Sequence, residues 1–346
     1  MFNAEKYIAR AIKSVYAQTY SNYEIIVVDD GSTDDGPVIC DMLANRKGKL
    51  RLFSQKNEGP GTARNVGIRE ACGEFCLFLD ADDSLVENAL EVMLHWLQNT
   101  DTDLVIAEEI VVSENGACTP APHKKMPLEL MQEEADYYFV DRKNLLSMLA
   151  MFRKYRNPAR KIFYPCKGRL YRNRIIHDHR VTFPDNSYFM EDLFFQMIYC
   201  AQAKSVVCLK KPYYYYQLHG NADSLTSRFD SEKFLPAAQL QWQITTQILT
   251  GNKVCSLKKA EYAAAYAIVD DMLVNAVRSS QFITRVNYSW YYQNMKKLVN
   301  APIVRRAIYN YEPLPGQSKL IPILIKIKAI RWLLLILRKR GIKRYQ

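Results

Sequence analysis

Over residues 1–112 the chain alternates between two hydrophobic periods. Apolar positions spaced as on one face of a helix (Tyr7, Ile8, Ala11, Ile12, Val15) give way to YEIIVVD over 23–29, which reads as a strand around the apolar run 25–28. The exchange recurs with a helix over 37–44, a strand over 50–54, a helix over 62–71 and a strand over 75–79. A helix over 87–98 and a strand over 103–112 follow. Strands alternating with helices predict an α/β fold with a mostly parallel, doubly wound sheet. From 113 to 131 the chain turns polar and Pro-containing, which predicts a long excursion or linker. Further on, helical periodicity dominates, with three helices predicted over 231–300 and no internal repeat.

With 346 residues, 49% hydrophobic and 12% aromatic, the chain can bury a real core, as two domains or as one large α/β domain with a helical annex. Its eight cysteines form no C-x-x-C pair and its five histidines show no paired metal spacing. That pattern predicts reduced cysteines used as small hydrophobes, with neither a disulfide frame nor a zinc site. No signal-peptide pattern opens the sequence and no uncharged stretch is long enough to span a bilayer, so a cytoplasmic location is expected.

Charge changes the picture at one end. The net charge is +11, yet after Glu312 there is no acid, while nine Lys and Arg residues lie between Lys319 and Arg344. The rest is nearly balanced, with 38 basic against 36 acidic residues. The segment KLIPILIKIKAIRWLLLILRKRGIKRYQ mixes Leu and Ile with basic stems and Trp332, which suits an anionic membrane surface on which it lies without crossing. The plainer reading is a C-terminal helix packed on the body. Nucleic acid fits less well, because so much apolar mass has no use on a phosphate backbone.

Four segments carry candidate chemistry. In FCLFLDADD (75–83) an apolar strand, read as covered on both faces, ends in Asp80, Asp82 and Asp83, at the sheet edge where open α/β folds bind ligands. Clustered carboxylates call for a cation, and hard oxygens suit Mg²⁺ or Mn²⁺ holding a diphosphate. The alternative is a solvated turn in which Asp83 or Ser84 caps the next helix. In VVDDGSTDD (27–35), Asp29 and Asp30 precede a turn at Gly31; a carboxylate there accepts from a base N–H or a ribose hydroxyl, or merely shapes the turn. In NEGPGTARNVGI (57–68), Arg64 on a helix's first turn suits phosphate, though no Walker lysine follows, and a solvated Arg is the plain reading. In YFMEDLFFQ (188–196), Glu191 and Asp192 interrupt an apolar helical run; they either face water or line a pocket where one serves as general base.

Together with PCKGRLYRNRII (165–176) and YYYYQLHGNADSLT (213–226), these segments span Phe2 to about Ser227. In order and spacing they resemble the family 2 glycosyltransferases of the GT-A fold, particularly the bacterial enzymes that build capsular, exopolysaccharide and O-antigen repeat units. The resemblance implies a nucleotide-sugar-binding half over 1–112 and an acceptor-binding half over 113–230, beyond which periodicity and charge give a helical extension over 231–312 and a basic membrane-associating tail over 313–346. It implies that Asp30 contacts the uracil of a UDP-sugar, with Phe2 and Asn3 near the base and Arg64 by the nucleotide or diphosphate. Asp82 would be the ligand of Mg²⁺ or Mn²⁺, Asp80 would lie toward ribose and sugar, and Asp83 would support the site. Asp192 would be the catalytic base with Glu191 as its understudy. The lone His219 either helps hold phosphate or acceptor, or is structural.

The expected activity is inverting transfer from a UDP-sugar to a saccharide hydroxyl, the acceptor being lipid-diphosphate-linked and the enzyme peripheral on the inner face of the cell membrane, with no nucleic-acid partner. Members of this family open with an apolar strand of the type V-S-V-I-I-P-x-Y-N, of which Met1-Phe2-Asn3 matches only the end. The natural reading frame is therefore expected to extend upstream of Met1. Without that strand two rows of backbone groups would lack partners, a cost of many kcal/mol. Two rival readings follow: a catalytically impaired nucleotide-sugar-binding subunit, and a phosphatase of the haloacid dehalogenase type, which also places Asp-x-Asp after an apolar strand.

Overall fold

A computed structural model describes residues 1–121, 127–185, 189–218, 229–313 and 318–345. The chain divides into two compact units, one of residues 1–145 with 157–219 and the other of residues 146–156 with 220–346.

The first unit opens with α1 (Ile8–Tyr16), β1 (Ile25–Asp29), α2 (Gly36–Lys47) and β2 (Leu50–Ser54). Its periodic residues Ile8, Ala11 and Ile12 are buried as the spacing predicts. β1 and β2 pair in parallel, with Ile25 opposite Leu50 and Asp29 opposite Ser54. On the other side of β1, the Met1 carbonyl accepts from the Asp30 N–H at 2.8 Å and the Met1 amino group donates to the Val28 carbonyl. Ala4, Ile8, Ile12, Val27, Cys40 and Leu43 form a core under this layer.

The chain continues through α3 (Pro60–Glu70), β3 (Phe75–Leu77), β4 (Ser84–Leu85), α4 (Ala89–Asn99), β5 (Leu104–Val112) and β6 (Cys118–Pro120). There follow β7 (Gln132–Glu133), β8 (Tyr137–Asp141), α5 (Arg142–Ala150), α6 (Arg156–Phe163), β9 (Arg169–Arg172), α7 (Asn173–Asp178), α8 (Glu191–Gln202) and β10 (Ser205–Gln217). Eight of these strands form one sheet, ordered β3-β9-β5-β10-β8-β7, with β4 on β10 and β6 on β5.

The α/β class stands, but the ladders are more mixed than the alternation predicts. The β5–β10 pair is parallel, while β9 lies between β3 and β5 antiparallel to both. A strand that returns from residue 169 leaves no trace in the periodicity of residues 1–112. The strand predicted over 75–79 stops at Leu77, and its three residues are half-buried, not covered on both faces. Phe78 bridges to Lys167 and turns its ring edge-on to Tyr171, Phe183 and Phe195. The excursion predicted over 113–131 is interrupted by β6, which folds back on Ile110–Val112.

The second unit holds the three helices predicted over 231–300, namely α9 (Ser231–Gly251), α10 (Leu257–Ser280) and α11 (Tyr288–Asn300). Asp230 caps α9 by accepting the Glu232 N–H. The alanine-rich face of α10, with Ala260, Ala263, Ala264 and Ala267 buried, permits close approach of its neighbours. α12 (Pro302–Tyr309), α13 (Leu320–Lys326) and α14 (Ile330–Tyr345) complete it. No helix among the described residues is long and apolar enough to cross a membrane.

Candidate active site

The site is built at the ends of β1 and β3 and at the first turns of α3 and α8. β1 delivers Asp29 and Asp30, both nearly buried. The Asp30 carboxylate accepts from Gln55 Nε2 at 2.8 Å and from the N–H groups of Glu58 and Gly59 at 2.9 Å each. Those N–H groups immediately precede Pro60 at the start of α3, so Asp30 stitches the end of β1 to the start of α3. Asn3 braces the same turn: its N–H donates to Ser32 Oγ and its Oδ1 accepts from the Thr33 N–H. Phe2 beside it is half-exposed.

Gly31 makes this turn possible. Its φ is +76°, and a Cβ there would sit 2.9 Å from the Asn57 backbone nitrogen. Gly31→Ala therefore combines a left-handed strain of about 1–2 kcal/mol with a backbone clash. A fall in unfolding temperature of several degrees is expected in thermal denaturation; an unchanged midpoint would mean the turn adjusts freely.

Arg64, one turn into α3, occupies the centre of the site. Its guanidinium donates to Asp192 Oδ1 at 2.9 Å and Glu191 Oε1 at 3.1 Å through one nitrogen, and to Asp80 Oδ1 at 3.0 Å through the other. Its side chain is only 17% exposed, and it lies over the Phe183 ring at 5.4 Å. Phe183 stacks on Phe195 at 4.2 Å, so an aromatic layer floors the cluster and keeps its dielectric low.

Glu191 and Asp192 form the first turn of α8, entered through Met190 in the left-handed region, and a helix N-terminus favours carboxylates there. Asp192 also accepts from the Cys166 thiol at 3.1 Å and, through Oδ2, from the Cys166 N–H at 3.3 Å. Burial holds the Cys166 thiol well above its usual range, so it stays protonated and donates. Oδ1 thus carries two donors, whereas Oδ2 holds one long bond and keeps capacity for a proton.

Burial, reinforced by the charge of Asp192, pushes the Glu191 carboxyl up to about 7 despite Arg64. The folded protein then keeps a proton that the unfolded chain has released, so stability falls as pH rises from about 4.5 to about 7. Glu191→Gln is expected to flatten that slope, worth up to ~3 kcal/mol. Thermal unfolding at intervals across that window measures it, and an unchanged slope would locate the proton elsewhere.

The carboxylates of residues 80–83 take separate roles. Burial disfavours charge on Asp80, but Arg64 and then Lys167 outweigh it and hold the carboxyl below its usual range. Asp83 is buried, accepting from Tyr214 Oη at 2.7 Å, the Gln217 N–H at 2.8 Å and Lys167 Nζ at 3.2 Å. Burial lifts its pKa to about 6 even with Lys167 beside it. Asp83 therefore fixes the turn to β10. The Asp82 carbonyl accepts from the Arg10 guanidinium at 2.5 Å.

Among the described residues no three carboxylate, His or Cys side chains converge as a ready metal cage. With Asp80 paired to Arg64 and Asp83 to Lys167, the donor set suits a hard cation that draws one or two carboxylates from the protein and the rest of its shell from diphosphate oxygens and water.

The structure thus brings Arg64, Asp80, Glu191 and Asp192 into one contact network. Phe2, Asn3 and Asp30 gather at the neighbouring turn. His219 lies outside the described residues. Sequence reasoning gave no role to Cys166, Lys167, Gln55 or Phe183. Cys166 and Lys167 stand inside PCKGRLYRNRII, but their partners Asp192 and Asp83 are distant in sequence.

Residues 1–179 match the profile of Glycosyl transferase family 2. The chain belongs to that family. The haloacid dehalogenase reading is thereby set aside. Among curated relatives, EpsH of Bacillus subtilis, a protein assigned as a glycosyltransferase, is 31% identical over 236 residues, covering 68% of this chain and 63% of EpsH. The glycosyltransferase GlyG of Streptococcus pneumoniae is 39% identical over 107 residues, 31% of this chain and 36% of GlyG. This family 2 chain therefore matches less than two thirds of the length of these relatives. Among solved structures, Staphylococcus aureus TarS residues 1–349, crystallised with UDP-GlcNAc, superposes with a TM-score of 0.66 at 21% identity, over 100% of this chain and 90% of that one. That likeness establishes the GT-A fold.

Proposed function

We propose that this family 2 protein is an inverting glycosyltransferase that moves a sugar from a UDP-sugar to a hydroxyl of a saccharide acceptor in surface polysaccharide synthesis. The observation that carries the reading is the single network in which Arg64 joins Asp80, from the Asp-x-Asp turn, to Asp192 and Glu191 at the head of α8. TarS, the fold neighbour crystallised with UDP-GlcNAc, supports UDP as the donor nucleotide.

In this reading the turn holding Phe2, Asn3 and Asp30 receives the uracil, Asp80 faces ribose and sugar, and Arg64 shifts its donors toward the diphosphate. Asp192 takes the proton of the acceptor hydroxyl on Oδ2 while the sugar leaves the diphosphate from the opposite side, and one displacement inverts the anomeric centre. Mg²⁺ or Mn²⁺ held by Asp82 would supply charge stabilisation to the departing diphosphate. Glu191, its carboxyl pushed up to about 7 by burial and the charge of Asp192, holds the acceptor or relays the proton. The acceptor is a lipid-diphosphate-linked saccharide, reached at the inner face of the cell membrane, where the basic C-terminal segment seats the protein.

The test is a panel of UDP-sugars incubated with the protein, a saccharide-diphosphate-lipid acceptor and Mn²⁺, with the product anomer read by NMR. Turnover of one donor, lost on chelation and giving the inverted anomer, is expected. Retention of configuration would overturn the mechanism. Binding of UDP-sugars without any turnover would favour the impaired-subunit reading.

A further inference from the structure

Burial splits the C-terminal helices into two faces. Along α14, Ile330, Leu333, Leu334 and Leu337 are buried, each at most 6% exposed. Arg331, Trp332, Leu335, Arg338 and Lys339 are exposed, a stripe spaced at one, four, seven and eight residues from its start. Trp332 is 65% and Leu335 46% exposed, and α13 adds Ile323 and the residue after it, Ile327, at 50% and 65%. The plainer reading of the tail as a packed helix accounts for the inner face only. The outer one leaves large apolar side chains in water among cations.

A concavity of about 410 Å³ opens on this stripe, lined by Arg331, Trp332, Leu335 and Arg338 with Ile283 and Tyr288 across from them. Its size fits a phosphate headgroup and the first carbons of its glycerol, with two guanidinium groups two helical turns apart. We infer that the outward face of α13 and α14 is a docking surface for an anionic phospholipid bilayer, and that the Arg331/Arg338 concavity seats a lipid phosphate. Trp332 and Tyr288 are the amphipathic aromatics that settle at headgroup depth.

Charge selects this occupant over the others. Lys319, Lys326, Lys328, Arg331, Arg338 and Lys339 are exposed or at the helix ends, with no acid in the chain after Glu312. A second copy would bring two such faces together and repel. Nucleic acid would satisfy the cations and leave Ile323, Ile327, Trp332 and Leu335 unused. An anionic bilayer takes both, as cations reach phosphates while the apolar stripe enters the acyl boundary.

This inference deepens the membrane part of the proposed function. The test below uses neither donor nor acceptor, so its failure and the failure of the transferase reading are separable. The full chain is sedimented with vesicles of phosphatidylcholine alone and with vesicles containing about one-third phosphatidylglycerol. Partitioning onto the anionic vesicles is expected to be at least about tenfold stronger and to weaken with salt. Arg331→Gln with Arg338→Gln should lower it about tenfold on anionic vesicles and change nothing on neutral ones. Trp332→Ala with Leu335→Ala should lower it about tenfold on anionic vesicles at every salt concentration. These side chains are exposed, so unfolding temperatures near wild type are expected and confirm that the variants fold. Equal partitioning onto both vesicle types, or wild-type binding by both double variants, would overturn the proposal. So would a dimer in sedimentation velocity that either pair of substitutions dissociates.

Discussion

Asp192→Asn is expected to lower sugar transfer by about 10²–10⁴-fold while leaving UDP-sugar affinity within a few-fold of wild type. The range is what a positioned general base contributes. Asparagine is nearly isosteric and its oxygen still accepts from Arg64 and the Cys166 thiol, the partners that Asp192 Oδ1 has at 2.9 and 3.1 Å. The cluster therefore keeps its main contacts, and what is lost is the long bond from the Cys166 N–H together with the ability to receive a proton on Oδ2. Steady-state turnover with saturating donor, set beside calorimetric binding of the UDP-sugar, separates the two effects. Donor affinity lost in parallel with turnover would show that Asp192 organises the donor site instead. Full activity would remove it from the reaction. Glu191→Gln serves as the comparison, since a carboxyl that burial and the charge of Asp192 push up to about 7 carries its charge only part of the time near neutrality and should lose less when that charge is removed.

Much of this site was legible because its chemistry sits where local pattern changes period. Asp80 and Asp82 follow an apolar run, Asp29 and Asp30 end another, and Arg64 begins a helix. Each transition from buried strand to turn is encoded within about ten residues, and side chains at such ends must face the sheet edge. The three helices of residues 231–300 were legible from helical periodicity alone, which is also encoded locally. What stayed hidden depends on contacts between distant segments. Asp83 carries the same letter as Asp82, yet Tyr214, Gln217 and Lys167 fold over it from more than eighty residues away and turn it into a buried brace. Asp30 reads as a ligand for a base, and the structure adds that its carboxylate already accepts two bonds from the start of α3 and one from the Gln55 side chain just after β2. Cys166 looked like a small hydrophobe, which describes its burial but not its two bonds to Asp192. The short strand β9 is invisible to alternation because its neighbours β3 and β5 precede it by some sixty to ninety residues.

Arg64→Ala is expected to destabilise the first unit by about 3–5 kcal/mol, the cost of removing one partner from a largely buried charge cluster. The carboxyl oxygens of Asp80, Glu191 and Asp192 all accept from this one guanidinium, at 2.9–3.1 Å. Without it, three carboxyl groups, 15–34% exposed, face one another over the Phe183–Phe195 stack with no cation between them. The pH dependence gives the result its signature. In wild type, Asp80 is held below its usual range with the help of Arg64, so its contribution to stability is present at neutral pH and lost as pH falls through that depressed value. In the variant the sign reverses, because carboxyls that have lost their cation titrate above the unfolded-chain value and stability is recovered as pH falls. The deficit should therefore be largest near pH 8 and shrink toward pH 5, read as the gap between the two unfolding midpoints. Arg64→Lys, which keeps the charge but not the forked donors, should recover part of the stability and little of the transfer activity. A deficit independent of pH would mean that Arg64 acts by filling space, and the electrostatic linkage between the Asp-x-Asp turn and the head of α8 would have to be abandoned.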